Sequence, residues 1–171
     1  MSIIDKVVAV VTPSRGEPEA DAIGLLKQDH DEVNTLFTEY EALADGGGGD
    51  PGDKRVLSTQ ICGLLVVHAM IEEEIFYPAA RSAGVDAALL NEAAVEHGSA
   101  KELIAQIGES GPSDALYDAR VKVLGEYIRH HVKEEEGELF SACRRSKMDL
   151  AAVGTALRKR KDVLMRKLRG Q

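Results

Sequence analysis

The chain has only five histidines in 171 residues, and four of them sit on the apolar stripes of four successive helical segments. His30 follows Leu26 by four residues and precedes Val33 by three, and His68 follows Leu65 by three. His97 follows Ala93 by four, and His131 follows Ile128 by three. At ~3.6 residues per turn these spacings aim one imidazole from each segment at a common interior. If about three-sevenths of helical positions face inward, four independent inward placements coincide only about 3% of the time.

The segments themselves are legible from the same periodicity. A first helix is predicted over about 20–44, carrying Leu26, Val33 and Phe37, and the Gly- and Pro-rich run from Asp45 to Asp53 ends it. A second is predicted from about 54 to 80, with Ile61, Leu64, Leu65, Ile71, Ile75 and Phe76 inward, bent or ended by Pro78. A third covers about 86–107, with Leu90, Ala93, Ala100, Ile104 and Ile107 on its stripe. After the break at 108–112, Ser113 is the expected N-cap of a fourth over about 114–144, with Val121, Leu124, Ile128 and Leu139 inward. Asp149 is expected to cap a fifth over about 150–168.

These elements predict an all-α, up-down-up-down four-helix bundle with an additional C-terminal helix. The expected organisation is an arm or short helix over 1–19, the bundle over 20–145, and a basic C-terminal helix over 146–171 packed on it. Gly47, Gly49 and Gly52 match a dinucleotide fingerprint letter for letter. They follow a helix rather than a strand and enclose Pro51, so a flexible connection is the reading.

Composition narrows the function classes. Hydrophobic residues are 44% and charged residues 29%, which suits a soluble globular chain. The net charge of −8 argues against nucleic acid or an anionic membrane as the main partner. No run approaches ~18 uninterrupted apolar residues, so no transmembrane segment is expected. The N-terminus makes a poor signal peptide, and a cytoplasmic location with reduced Cys62 and Cys143 is the expectation.

Two of the inward histidines carry a carboxylate four residues on, in His68-Ala-Met-Ile-Glu72 and His131-Val-Lys-Glu-Glu135. Such pairs share a helix face, so Glu72 and Glu135 are drawn inside with their histidines. Buried carboxylates cost several kcal/mol each unless a cation compensates them, roughly the penalty for burying unpaired charge. A two-metal centre removes that cost, with carboxylates bridging and imidazoles terminal. Imidazole with carboxylate suits iron or manganese, and the lack of inward cysteines disfavours a thiolate zinc site. A lone inward histidine is ordinarily a hydrogen-bonded core residue; four with two such pairs favour the metal.

The segments Leu26-Lys-Gln-Asp-His30, His68-Ala-Met-Ile-Glu72-Glu-Glu-Ile-Phe-Tyr77-Pro78, Glu96-His97 and His131-Val-Lys-Glu-Glu135-Glu-Gly-Glu-Leu-Phe140 resemble the motifs of hemerythrin-like (HHE cation-binding) proteins. The resemblance covers about 20–145. It implies a four-helix bundle around two iron ions joined by an oxo or hydroxo bridge. His30 and His68 would bind one iron, His97 and His131 the other, and Glu72 and Glu135 would bridge.

Two departures stand out. Oxygen-carrying hemerythrins have a second histidine on the third helix where this chain has Lys101, and an aspartate five residues after the fourth-helix histidine where this chain has Glu135 after four. The His97/His131 iron is therefore expected to keep one more labile position. Tyr77 is a candidate to fill it; because ideal geometry points it away from His68, a core tyrosine or one that supports the ligands from behind is the favoured reading. Lys101 is expected to face the same interior region as His97, its stem carrying the charge toward the bundle end.

His130 points about 100° from His131 and is expected outside. Glu73, Glu74, Glu134, Glu136 and Glu138 read as solvated faces, and Cys143 as an inert thiol. The C-terminal helix carries a net +6 over 156–171, leaving −14 on the rest. A solvated face packed through Leu157, Leu164 and Leu168 is the simpler reading, with a protein or lipid contact as the alternative. Since every proposed ligand precedes residue 136, this helix is expected to be dispensable for metal binding.

The expected function is that of a non-haem di-iron protein that binds or reacts with dioxygen, hydrogen peroxide or nitric oxide, with the departures tilting toward turnover. The alternatives are iron storage or sensing, and reversible oxygen binding without turnover. A ferritin-like site is disfavoured because Glu-x-x-His is absent.

Overall fold

Almost every helix begins where an aspartate takes up a free amide of the first turn. Asp21 Oδ1 accepts from the Gly24 amide at 2.8 Å, opening α1 (Ala22–Asp45). Asp50 accepts from Gly52, with Pro51 in the first helical turn where its missing N–H costs nothing, and opens α2 (Pro51–Ser82). Asp86 caps α3 (Ala87–Glu109) through the Ala88 amide. Asp149 caps α5 (Leu150–Leu168) through Ala152, as expected. α4, residues 117–145, starts three residues later than expected, and Ser113 does not cap it. The turn before it is closed instead by Asp114, which accepts from the Leu116 amide at 2.8 Å.

The computed structural model describes residues 21–45 and 49–170, and no β-strand occurs among them. The arm expected over 1–19 lies outside the described residues. α1 packs on α2 and α4, and α3 closes the ring between α2 and α4. α5 lies across α1 and α2. The contact of α5 with α1 is so close that a Cβ on Gly154 would fall 2.7 Å from the Ala22 amide nitrogen, and only glycine fits there. Leu157 and Leu164 are buried in this seam, while Leu168 stays half-exposed.

The core is in two parts. One contains Leu26, Ile71, Phe76, Leu139, Phe140 and Leu157. The other contains Phe37, Tyr40, Ile61, Tyr117, Val121 and Leu124. Between them lies a band of buried polar side chains: His30, His68, Glu72, His97, His131 and Glu135, all at 6% exposure or less. α2 has the length and apolar composition of a membrane span, but it contributes His68 and Glu72 to this band and packs into the ring.

Pro78 neither ends nor breaks α2. The helix widens to a π-turn over Glu72–Phe76, closed by the Tyr77 amide donating to the Glu72 carbonyl, and resumes as an α-helix over Tyr77–Ser82. α4 does the same over Glu135–Leu139, with the Phe140 amide donating to Glu135. Both π-turns start on a candidate ligand. An i→i+5 turn stacks residue i+5 over residue i, where an ideal α-helix leaves them about 140° apart.

Candidate metal centre

All six sequence-predicted residues converge. His30, His68, Glu72 and Glu135 form one group of candidate ligand atoms, and Glu72, His97 and His131 form a second; Glu72 belongs to both. The imidazole Nε2 atoms of His30 and His68 face each other at 3.2 Å, and those of His97 and His131 at 3.3 Å. Glu72 Oε2 lies 3.2 Å from His68 Nε2 and 3.3 Å from His97 Nε2. Glu135 Oε2 lies 3.3 Å from His30 Nε2 and 3.8 Å from His131 Nε2. Each carboxylate thus touches one histidine of each pair.

The other ring nitrogen of every histidine faces a carboxylate. His30 Nδ1 meets Glu136 at 2.9 Å, and His97 Nδ1 meets Glu73 at 3.0 Å. His131 Nδ1 meets Glu96 at 2.7 Å, and His68 Nδ1 approaches Asp29 at 3.4 Å. An ionised carboxylate only accepts, so this network assigns the proton of each neutral imidazole to Nδ1. Four Nε2 lone pairs then converge with two carboxylates on a space where donors are scarce. Glu72 Oε1 and Glu135 Oε2 are buried and have no hydrogen-bond partner. Such a set is satisfied by protons or by metal cations, and imidazoles held through Nδ1 by carboxylates are the usual arrangement of metal-binding histidines.

Protons do part of this work in the metal-free chain. Burial alone would lower the His68 pKa, but the charge of Glu72 and the hydrogen bond to Asp29 outweigh it and hold it well above the ordinary imidazole value. His30 and His97 are raised in the same sense, against burial, by Glu135 and Glu72 respectively. Burial would raise Glu72, yet His68 and His97 hold it well below the usual carboxylate range.

Several residues fall where the sequence reading did not place them. Tyr77 points into the centre: its hydroxyl donates to Glu135 Oε1 at 3.1 Å and lies 3.3 Å from Glu72 Oε2 and 3.4 Å from His97 Nε2. The π-turn rotates it inward. Glu73 and Glu136 are not merely solvated, since each holds a histidine of a neighbouring helix. Lys101, in contrast, keeps its charge away from the centre as expected: its ammonium pairs with Glu73 at 2.6 Å on the outside, while its stem borders the cavity beside the histidines. α5 is not separate from the site either, because Lys161 pairs with Asp29, the carboxylate behind His68. A signal for the outer carboxylates was present: an acid adjoins a candidate ligand in Asp29-His30, Glu72-Glu73, Glu96-His97 and Glu135-Glu136.

His130 is exposed, as expected. Burial pushes the Cys62 and Cys143 thiols up to about 11, which makes both poor nucleophiles. A cavity of about 30 Å³ opens onto the four histidines, walled by Val33, Leu65, Ala100, Ile104 and Ile128. Asp29, Lys101 and the four histidines are also part of its lining, and it has room for a molecule of a few atoms.

The chain is similar to known proteins in sequence and in fold. A family profile for the Hemerythrin HHE cation binding domain matches residues 21–143. A solved hemerythrin HHE cation binding domain-containing protein from Mycobacterium kansasii superposes with a TM-score of 0.72 at 20% identity, covering 88% of this chain and 93% of that one. A DNA nickase from a Nostoc species is 30% identical over 167 residues, which is 96% of this chain; the chain spans 46% of that relative's length.

Proposed function

The chain belongs to the hemerythrin HHE cation-binding family, and from that premise we propose that its buried cluster holds two iron ions and binds or turns over small oxygen- or nitrogen-containing molecules. His30 and His68 would serve one iron, His97 and His131 the other, with Glu72 and Glu135 across the pair. The observation that carries this reading is the pair of buried, unpartnered carboxylate oxygens on Glu72 and Glu135 among four inward Nε2 atoms. Imidazole with carboxylate is a donor set that suits iron.

When bound, ferrous iron would supply electrons and open positions for dioxygen, hydrogen peroxide or nitric oxide. The chain's own residues set the conditions. The cavity beside the histidines admits a molecule of a few atoms and is too small for a larger one. The Tyr77 hydroxyl holds a proton beside Glu72, Glu135 and His97. In the metal-free fold, burial and both carboxylates push its pKa above the ordinary tyrosine range.

The test is metal analysis followed by exposure of the anaerobic ferrous protein to each of the three molecules, with absorbance and consumption measured. About two irons per chain and consumption of at least one molecule are expected. Two irons with no reaction would favour storage or sensing; zero or one iron would sink the two-iron reading.

A second reading comes from the Nostoc relative's name. Lys159, Arg166, Lys167 and Arg169 are exposed along α5, a cationic stripe of the kind that contacts phosphates. Against it stands the net charge of −8. Conversion of supercoiled plasmid to the open circle by the iron-loaded protein, lost when these four residues are neutralised, would support nicking.

A further inference from the structure

The bundle repeats its site with approximate two-fold symmetry, and among the described residues only one of the two equivalent faces is covered. His30 on α1 corresponds to His97 on α3. His68, Glu72 and Glu73 on α2 correspond to His131, Glu135 and Glu136 on α4. On the first face, the α1/α2 side, the positions over the site are Leu25, Val67, Ile71 and Ile75. They are apolar and belong to the core beneath α5, and Lys161 of α5 pairs with Asp29. On the second face, the α3/α4 side, the corresponding positions are Glu92, His130, Glu134 and Glu138. Among the described residues no fifth helix packs there, and Glu96, the counterpart of Asp29, has no lysine pairing with it.

These residues form an open cleft. Glu92, Glu96, Glu134 and Glu138 line it, and Glu135 of the centre forms part of its wall. Glu135 is 3% exposed, and its Oε2, which has no hydrogen-bond partner, lies behind this wall, facing His30 and His131 in the centre. At the rim, His130 Nε2 lies 3.2 Å from Glu134 and 3.8 Å from Glu96, a set with the spacing of metal ligands. Glu96 is shared with the inside, since its other oxygen holds His131 Nδ1 at 2.7 Å.

We propose that this cleft is the inlet through which divalent cations reach the buried centre, with Glu96, His130 and Glu134 as a transient outer site. The proposal rests on the metal-centre reading and extends it. Carboxylates concentrated in a concave, partly desolvated cleft raise the local cation concentration and the association rate by roughly 10–10³-fold. A divalent cation sheds its waters in stages, exchanging them first for exposed oxygens and an imidazole, then for Glu135. The covered face offers no such route: Leu25, Val67, Ile71 and Ile75 stand where the open face has Glu92, His130, Glu134 and Glu138, its one carboxylate, Asp29, is taken by His68 and Lys161, and α5 closes over them.

The experiment measures cobalt(II) uptake by stopped-flow absorbance, using full-length protein produced in metal-depleted medium. E92Q/E134Q/E138Q is compared with E39Q/E102Q/E126Q, which removes the same charge from exposed residues elsewhere on the bundle. The cleft variant should load about tenfold or more slowly than wild type at low ionic strength and reach the same final stoichiometry, with the gap narrowing in high salt. The control should stay within about twofold, as remote screened charges predict. If the triple variant is misfolded by circular dichroism, E92Q/E138Q, which alters only exposed residues, takes its place and should still slow loading. Equal rates for the cleft and control variants would overturn the inlet while leaving the centre intact. No cobalt uptake by the wild type would overturn the centre and the inlet together.

Discussion

Tyr77 and Phe140 occupy matching positions, each five residues beyond a buried glutamate across a π-turn, and only Tyr77 brings a hydroxyl into the centre. Phe140 lies parallel to the His30 ring, with centroids 5.9 Å apart and planes within 2°. The two halves of a near-symmetric site are therefore chemically unequal: the His97/His131 half has a proton donor, and the His30/His68 half has an apolar ring.

That inequality predicts the effect of Tyr77→Phe. The substitution gives both halves a phenyl ring and removes no atom of the six candidate ligands. Metal content is expected to stay at wild type, while peroxide consumption falls about tenfold or more, the low end of what a positioned proton donor contributes. Paired metal analysis and peroxide assays check this. Loss of metal would make Tyr77 a ligand instead, and an unchanged rate would make it a bystander.

Removing a carboxylate tests the centre itself. Glu72→Ala and Glu135→Ala each delete a group that touches both histidine pairs, so both are expected to lose metal. They should also destabilise the fold by about 3–5 kcal/mol, as when one partner of a buried ionic set is removed. His130→Ala, at an exposed position, should keep the final metal content. Metal analysis and thermal melts decide the matter: metal retained in both glutamate variants would show that the inward cluster is not the binding site.

The metal-free and metal-loaded proteins should respond to pH in opposite senses. His30, His68 and His97 are raised above 6.5 in the metal-free fold. Their contribution is full below that value and is lost as pH rises through the folded pKa. Glu72 is held below 4.5, so its contribution is present above that value and is lost as pH falls through its folded pKa. The metal-free fold should therefore gain most from these groups between 4.5 and 6.5 and weaken toward alkaline pH. Cations take the place of those protons, so metal binding strengthens as pH rises. Calorimetry should find the gap in Tm between the two forms widening from about pH 6 to about pH 9. A constant gap would contradict this assignment.

The inward set was legible because an α-helix repeats every ~3.6 residues, and a stripe that includes a histidine aims it at the core. The same rule failed where the helix stops being α. Tyr77 reads as pointing away only if the turns between Glu72 and Tyr77 are ideal, and the π-turn removes that premise. Glu73 and Glu136 sit about 100° from the ligands beside them, and on one helix that does read as a solvated face. Their partners are histidine Nδ1 atoms on neighbouring helices, a relation that spacing within one helix does not contain. Ser113 looked like a cap because its residue type fits, but Asp114 closes a turn before the helix begins. The pairing of Lys161 with Asp29 is separated by 132 residues and depends on how α5 crosses the bundle.

That last contact changes what the C-terminal helix should do. Asp29 is buried, and it stands between His68 Nδ1 and the Lys161 ammonium. Burial would raise its pKa, but His68 and Lys161 outweigh this and hold it below the ordinary value, so it stays an acceptor that fixes the His68 ring. Asp29→Asn keeps the shape, gives up the charge, and is expected to weaken metal affinity about 10–100-fold, as losing a carboxylate behind a ligating histidine does. Lys161→Ala leaves Asp29 in place without its counter-charge and should have a smaller effect in the same direction. Removing 149–171 should combine that loss with exposure of the apolar surface beneath Leu157 and Leu164, lowering both stability and affinity. Competition with a chelator, followed in all three variants alongside circular dichroism, separates affinity from folding. A folded truncation with wild-type affinity would return α5 to a purely structural role.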